Sequence, residues 1–212
     1  MRNTGRLSCR AVRAVIKLRA YRQEIPYRVA SPISAKGSGR LVVYAQRIVG
    51  GAFSAWLHDH LRVGDELFVC SIGGELYYLA GHPTQPLLMT AWDGDLGALI
   101  GLVQDVFEHD HAGPVYLFHG VSDSEQLYFA EELDGISHYF PNFHYIPCVR
   151  EGLVPKKGYR GEVNKVIAQL LPKLTGWKVF ICGSRSHAHG IQRYAYLAGA
   201  GMKDIYLEVT SV

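Results

Sequence analysis

The sequence predicts a small antiparallel β-barrel followed by a five-stranded parallel, doubly wound sheet. Three observations predict it. Up to about residue 84 the apolar segments are rich in β-branched and aromatic residues and are broken by Gly, Pro and Ser. Beyond that point short apolar runs alternate with segments whose apolar residues fall at helical spacing. The chain of 212 residues, 48% hydrophobic and 19% charged, is long enough for one large or two small cores and too apolar to be disordered. The expected parts are residues 1–82 and 83–212. They meet in "YLAGHPTQP" (78–86), too short for a flexible tether.

The elements follow in order. "MRNTGRLSCRAVRAVIKLRA" is basic and amphipathic; it lacks a secretory apolar core and a small-residue cleavage site, so no signal peptide is expected. "PYRVASP" (26–32), "GRLVVYAQRI" (39–48) and "DELFVCSI" (65–72) read as barrel strands, with a helix over "FSAWLHDHL" (53–61). Parallel strands are expected at 86–91, 114–121, 143–149, 177–182 and 204–209. Between them, Leu96, Leu99, Ile100, Val103 and Phe107 make one helical stripe, and Val163, Val166, Ile167, Leu170, Leu171 and Leu174 another. Crossover helices bury both faces of such a sheet, and ligands bind beyond the carboxyl ends of its strands.

Several functions are excluded. A net charge of +3 does not suggest nucleic acid or an anionic membrane. No apolar run approaches the ~20 residues of a membrane helix, and a cytoplasmic protein is expected. Cys9, Cys70, Cys148 and Cys182 are too far apart for a zinc or iron–sulfur loop and read as free thiols in a reducing compartment. The pairs His58/His60, His109/His111 and His187/His189 lack a third ligand at a usable spacing, so no metal is expected. No P-loop or G-x-S-x-G motif is present.

In "GGAFSAWLHDHLRVGDELFV" (50–69), Gly50 and Gly51 allow close backbone approach. Ser54 and the N–H groups of the helix start can take a pyrophosphate; the alternative is an ordinary glycine turn capping a helix. With "IPYRVAS" (25–31), "VYLFHGVSDSEQLYFAEEL" (115–133), "VFICGS" (179–184) and the terminal "IYLE" (205–208), this stretch resembles the ferredoxin–NADP reductase superfamily over about residues 25–209. The resemblance implies FAD on the barrel and NADH or NADPH on the parallel sheet. Tyr27 would stack on the isoalloxazine. Val29 and Ser31 would offer backbone groups to it, and Gly50, Gly51 and Ser54 would hold its pyrophosphate. Gly94, Ser122, Asp123, Cys182 and Gly183 would meet the pyridine nucleotide. Asp123 would favour NADH by bonding a ribose hydroxyl or would simply cap the next helix. Cys182 would lie near the nicotinamide or be a buried thiol.

The sequence departs from the family at several points. The phosphate-binding Arg falls on Ile25, and Arg28 would supply that cation from a shifted position. Only 24 residues precede the motif, where the family fits at least two strands, so the barrel is short and its edge would be covered by a partner or a homodimer. The family's Gly-Gly-Thr-Gly loop falls on Ala91, Trp92, Asp93 and Gly94, with Trp92 filling space that glycine leaves open. Asp93 and Asp95 read as N-cap residues, and one such charge about 4 Å from a phosphate costs about 4 kcal/mol at an effective dielectric of 20. Lys156, Lys157 and Arg160 form an anion patch or a solvated surface. The function implied is a flavin-dependent oxidoreductase passing electrons from NAD(P)H through FAD to an acceptor protein or small molecule. The alternative is a non-catalytic member of the fold, a subunit or binder of another ligand, with the pyridine-nucleotide site lost.

Overall fold

The computed structural model describes residues 10–17, 24–28, 42–78 and 81–210. Near the N-terminus lies a three-stranded antiparallel sheet in the order β2-β1-β3. Its strands are β1 (Arg10–Lys17), β2 (Glu24–Arg28) and β3 (Phe68–Tyr77). Ala14 of β1 lies opposite Tyr27 on one side and Ile72 on the other. The basic amphipathic stretch therefore supplies the central strand, an element absent from the sequence-based assignment. Between Ala11 and Arg13, and again between Val15 and Ile16, the β1–β3 register shifts; such irregularities bend a ladder and increase its twist.

A closed barrel is not seen among the described residues. The strand expected over 39–48 reduces, in its described part, to a single bridge at Val43. Side chains of this stretch are used elsewhere: Tyr44 packs edge-on against Phe129, and Arg47 forms a bidentate pair with Asp59 at 2.8 and 2.9 Å. The expected helix is present as α1 (Ala52–Asp59).

The second sheet is parallel, with the order β7-β6-β5-β4-β8-β9. Its strands are β4 (Leu87–Trp92), β5 (Val115–Asp123), β6 (Phe143–Glu151), β7 (Tyr159–Arg160), β8 (Lys178–Ser184) and β9 (Ile205–Thr210). That is six strands against the five expected. The addition, β7, pairs only with Cys148 and Val149, and two residues carry no readable period. Helices α2 (Leu96–Glu108), α3 (Ala130–Tyr139), α4 (Val163–Leu170) and α5 (Arg185–Leu197) cover the two faces.

Both faces of β4 are buried, which is why it reads as an unbroken apolar run. Leu87, Met89 and Ala91 enter the core with α2, while Leu88 enters the core with α4 and α5. From β4 the chain steps outward through β5, β6 and β7, then returns to the other side of β4 for β8 and β9. This reversal makes the carboxyl ends of β4 and β8 the switch point of the sheet, the usual place for a ligand. The two sheets share a core, since Leu76 of β3 and Tyr78 just beyond it are buried with Leu99 and Val103 of α2. Among the described residues no helix is long and apolar enough to cross a membrane.

Candidate functional site

Two glycine-containing turns lead into helices; the first was expected to hold a pyrophosphate, and at the second two aspartates were expected to oppose one. The first is Gly50–Gly51, ahead of α1. Gly50 has φ of +78°, a conformation that L side chains rarely adopt. A Cβ on Gly51 would lie 2.8 Å from Ser54 Oγ and 3.1 Å from Ile48 Cβ. Ser54 is buried; its hydroxyl accepts from the Ile48 N–H at 3.0 Å and faces the Gly51 carbonyl at 3.0 Å and that of Ile48 at 3.3 Å. The hydroxyl therefore braces the turn from inside. Its N-cap residue, Gly51, offers no side-chain cap to α1, and a helix start of this kind can take an anion. Beside the turn, Val49 is fully exposed and Ile48 largely so.

The second turn, Asp93-Gly94-Asp95, is a short 3-10 segment running into α2. Neither aspartate caps α2 with its side chain, contrary to the expectation from sequence. Asp93 has φ of +50° and its carboxylate accepts from Gln46 Nε2 at 3.4 Å. Thr210 Oγ1 lies 2.7 Å from each Asp95 carboxylate oxygen, which ties the turn to the end of β9. The helix start is satisfied by another group. Gly97 N–H donates to the Tyr128 hydroxyl at 2.9 Å, and that hydroxyl donates to the Gly94 carbonyl at 3.0 Å.

Tyr128 is delivered by a tight local structure. The Asp123 side chain accepts from Glu125 N–H, and Gln126 Oε1 accepts from Asp123 N–H, closing a capping box at the end of β5. Two residues later Tyr128 meets the edge of His119 at 5.6 Å and the ring of Tyr44 at 5.8 Å. Phe129, with φ of +62°, then turns the chain into α3. Burial holds the Tyr128 phenol well above the usual range, outweighing the smaller opposite effect of the Gly97 N–H, so it stays neutral. His119 has no exposed surface; burial pushes its imidazole down to about 4, against a smaller upward pull from the Asp93 main chain. Its Nδ1 lies 3.2 Å from Tyr145 Oη, while the buried Nε2 has no hydrogen-bond partner.

At the end of β4, Trp92 leans across β5. A Cβ on Gly120 would lie 2.5 Å from Trp92 Cε3 and 2.4 Å from Val163 Cγ2. The Arg150 guanidinium sits 4.5 Å over the indole, and the His187 ring is 5.8 Å away. The indole thus fills the space that a glycine would leave. Burial pushes His187 down to about 4. A Cβ on Gly183 would meet His187 Cδ2 at 2.7 Å, so glycine here permits the close approach of α5.

Residues 98–193 match the oxidoreductase NAD-binding domain family. The fold is like that of solved ferredoxin–NADP+ reductases and related reductases. The chain superimposes on the Amycolatopsis cytochrome P450 reductase GcoB with a TM-score of 0.84 at 21% identity, covering 97% of this chain and 62% of that one. It superimposes on a ferredoxin NADP+ reductase from Neisseria gonorrhoeae with bound FAD and NADP with a TM-score of 0.79 at 20% identity, over 99% and 89% of the two chains. In sequence it is 26% identical over 151 residues to the phenol hydroxylase P5 protein of Acinetobacter pittii, covering 68% of this chain and 42% of that protein. It is 25% identical over 186 residues to the glycine betaine monooxygenase reductase subunit of Chromohalobacter salexigens, covering 86% of this chain and 50% of that one. The chain therefore spans about half the length of these curated relatives.

On this reductase-like frame the expected site residues separate. Tyr27 and Arg28 lie on β2, opposite Ala14 and Arg13, while Val29 and Ser31 fall outside the described residues. Gly94 closes onto Tyr128, and Asp123 is a capping residue that also accepts from Ser124 Oγ at 3.3 Å. Ser122 ends β5 beside it. Cys182 is fully buried, packed in the core with α2. Of the anion patch, Lys157 pairs with Asp134 at 2.7 Å and Arg160 donates to the Arg150 and Gly152 carbonyls. The sequence reading passed over Tyr128, His119, Arg150 and Thr210. Only their contacts with residues 30 or more positions away in the chain, or with a strand end, reveal three of them.

Proposed function

We propose that this chain is the flavin- and pyridine-nucleotide-binding part of a reductase. It would bind FAD at the α1 turn, take reducing equivalents from NADH or NADPH, and deliver them to a separate acceptor protein. The observation that carries this reading is the turn into α1. Gly50 holds a positive φ, Gly51 has no room for a Cβ, and the helix start is free of any side-chain cap. Residues 50–54 thus fit a pyrophosphate held by backbone N–H groups, and the exposed Ile48 and Val49 fit an apolar ring system nearby. FAD, when bound, supplies the electron-transfer chemistry; the protein holds it and excludes water. We assign residues 1–82 to the flavin side and 83–212 to the nucleotide side. The names of relatives such as the reductase component of the naphthalene 1,2-dioxygenase system support an oxygenase or ferredoxin as the acceptor.

The α2 turn does not fit a pyrophosphate as it stands, because a phenol and two carboxylates occupy its surroundings. That favours a second reading, a chain that binds FAD and takes electrons from another donor. Visible absorption of the purified protein after incubation with FAD and desalting tests both. Bands near roughly 370 and 450 nm mark a bound flavin, and their anaerobic bleaching by NADH supports the first reading. Retained flavin without bleaching supports the second. A colourless protein overturns both.

A further inference from the structure

We propose that Tyr128 is a gate on the pyridine-nucleotide site. Its hydroxyl occupies the backbone of the α2 start, and a nucleotide pyrophosphate reaches the Gly97 N–H only after the side chain swings out. The inference rests on the reductase reading and adds a regulatory residue to the same site.

Four observations carry it. The hydroxyl stands where a phosphate oxygen would, accepting from Gly97 N–H and returning its proton to the Gly94 carbonyl, so the cradle is filled by a neutral group of the chain itself. The residues next to both halves of this closure are strained: Asp93 at φ +50° on one side and Phe129 at φ +62° on the other, neither of them glycine. Strain of this kind is stored at switch points and is relieved when the segment moves. Behind Tyr128 lies His119, wholly buried, with Nε2 lacking a hydrogen-bond partner. A buried polar atom without a partner marks an arrangement that another state can improve. Finally, the Asp95 carboxylate is engaged by Thr210 of β9, with both oxygens 2.7 Å from that hydroxyl. Its charge is thereby turned toward β9, and the phenol remains the direct obstruction at Gly97.

The closed form is held by two hydrogen bonds and by ring contacts with Tyr44 and His119. Removing the hydroxyl alone should therefore tip the balance without unpacking the ring. The test uses the full chain and compares wild type with Tyr128→Phe, using ADP and adenosine as probes in calorimetric titrations, with FAD retention measured in parallel. ADP should bind about tenfold tighter to the variant, the shift expected when the hydroxyl's two competing hydrogen bonds are lost. Adenosine, which lacks the pyrophosphate, should show no change, and neither should FAD retention. Tyr44→Leu keeps the hydroxyl but removes the ring braced against it; it should tighten ADP about twofold, since it removes only a supporting contact. It also serves as the test if Tyr128→Phe proves unstable. Unchanged or weaker ADP binding in the folded variants, with FAD still retained, overturns the gate and leaves the reductase reading standing. Equal tightening of ADP and adenosine also overturns it, because the effect is then not on the phosphate cradle. If no form retains FAD or binds ADP, both the gate and the reductase reading fall.

Discussion

The turns into α1 and α2 use similar parts to opposite ends. Each places glycine where a helix begins. At α1 the polar side chain, Ser54, folds inward and leaves the helix start uncapped toward solvent. At α2 a tyrosine from beyond the neighbouring strand covers the helix start, and the acidic side chains are spent on Gln46 and Thr210. A glycine turn before a helix is therefore a permission for anion binding and not a commitment to it. What decides is whether any other part of the chain reaches the same N–H groups first.

That contrast can be broken most strongly by acid. His119 and His187, both held near 4 by burial, back the α2 side, whereas His58 at α1 is exposed. A histidine whose folded pKa lies below its unfolded value of 6.5 binds fewer protons when folded between the two. Its stabilising contribution is complete above pH 6.5 and is lost as the pH falls toward 4. At about 1.4 kcal/mol per pH unit, each histidine accounts for a loss of roughly 3 kcal/mol across that window. Asp105, pushed up to about 6 by burial, acts in the opposite sense, gaining stability as the pH falls toward its unfolded value. The informative quantity is thus the difference between wild type and His119→Gln in urea unfolding from pH 7 to pH 4. The variant should lose less stability on acidification; parallel profiles would rule out a neutral buried His119.

The α1 side is probed by Gly51→Ala. Its Cβ would strike Ser54 Oγ, so a stability loss of about 1–3 kcal/mol is expected, together with FAD retention weakened at least about tenfold. The matching change at α2, Gly94→Ala, meets only Gln46 Oε1 at 3.1 Å, the end of a flexible side chain. It should cost less than about 1 kcal/mol. Equal costs in thermal unfolding would erase the proposed asymmetry.

Charge gives the next effect. Asp93→Asn combined with Asp95→Asn should strengthen NADH binding about tenfold at low salt, because each of the two screened surface charges contributes up to about 1 kcal/mol. The gain should shrink as salt is added. No change at any ionic strength would mean that the phosphates never approach the turn. Smallest is Thr210→Val, which removes the hydroxyl held by Asp95 and should destabilise by about 1 kcal/mol. An unchanged melting temperature would show that the link between β9 and the α2 turn is only a surface contact.

The parallel sheet was legible because burial on both faces leaves a signature in each strand separately: "PLLMTA" and "WKVFIC" are apolar except for Thr90 and Lys178 and lie within one or two residues of the observed β4 and β8. β7 was not legible, since its position depends on pairing with Cys148 and Val149 and not on its own two residues. β1 was hidden for a related reason: its arginines, Arg10 and Arg13, lie three apart and not in the two-residue alternation that marks a strand. At the candidate site, Gly50 and Gly51 could be read directly because a positive φ and a close approach both require glycine there. The fate of Asp93 and Asp95 could not be read. A carboxylate at a helix start favours capping unless a stronger partner exists, and the partner of Asp95 lies 115 positions away. Tyr128 shows the same limit, because its hydroxyl contacts Gly94 across 34 positions.

The packing of Trp92 against Gly120 constrains how this chain can change. Replacing the indole first, on a path toward an open glycine loop, leaves a hole costing about 3 kcal/mol or more. Enlarging Gly120 first drives a new side chain into Trp92 on one side and Val163 on the other. Each residue makes the other's single replacement harmful, so the two positions are coupled. A conventional phosphate loop can therefore be built here only by changing both positions together.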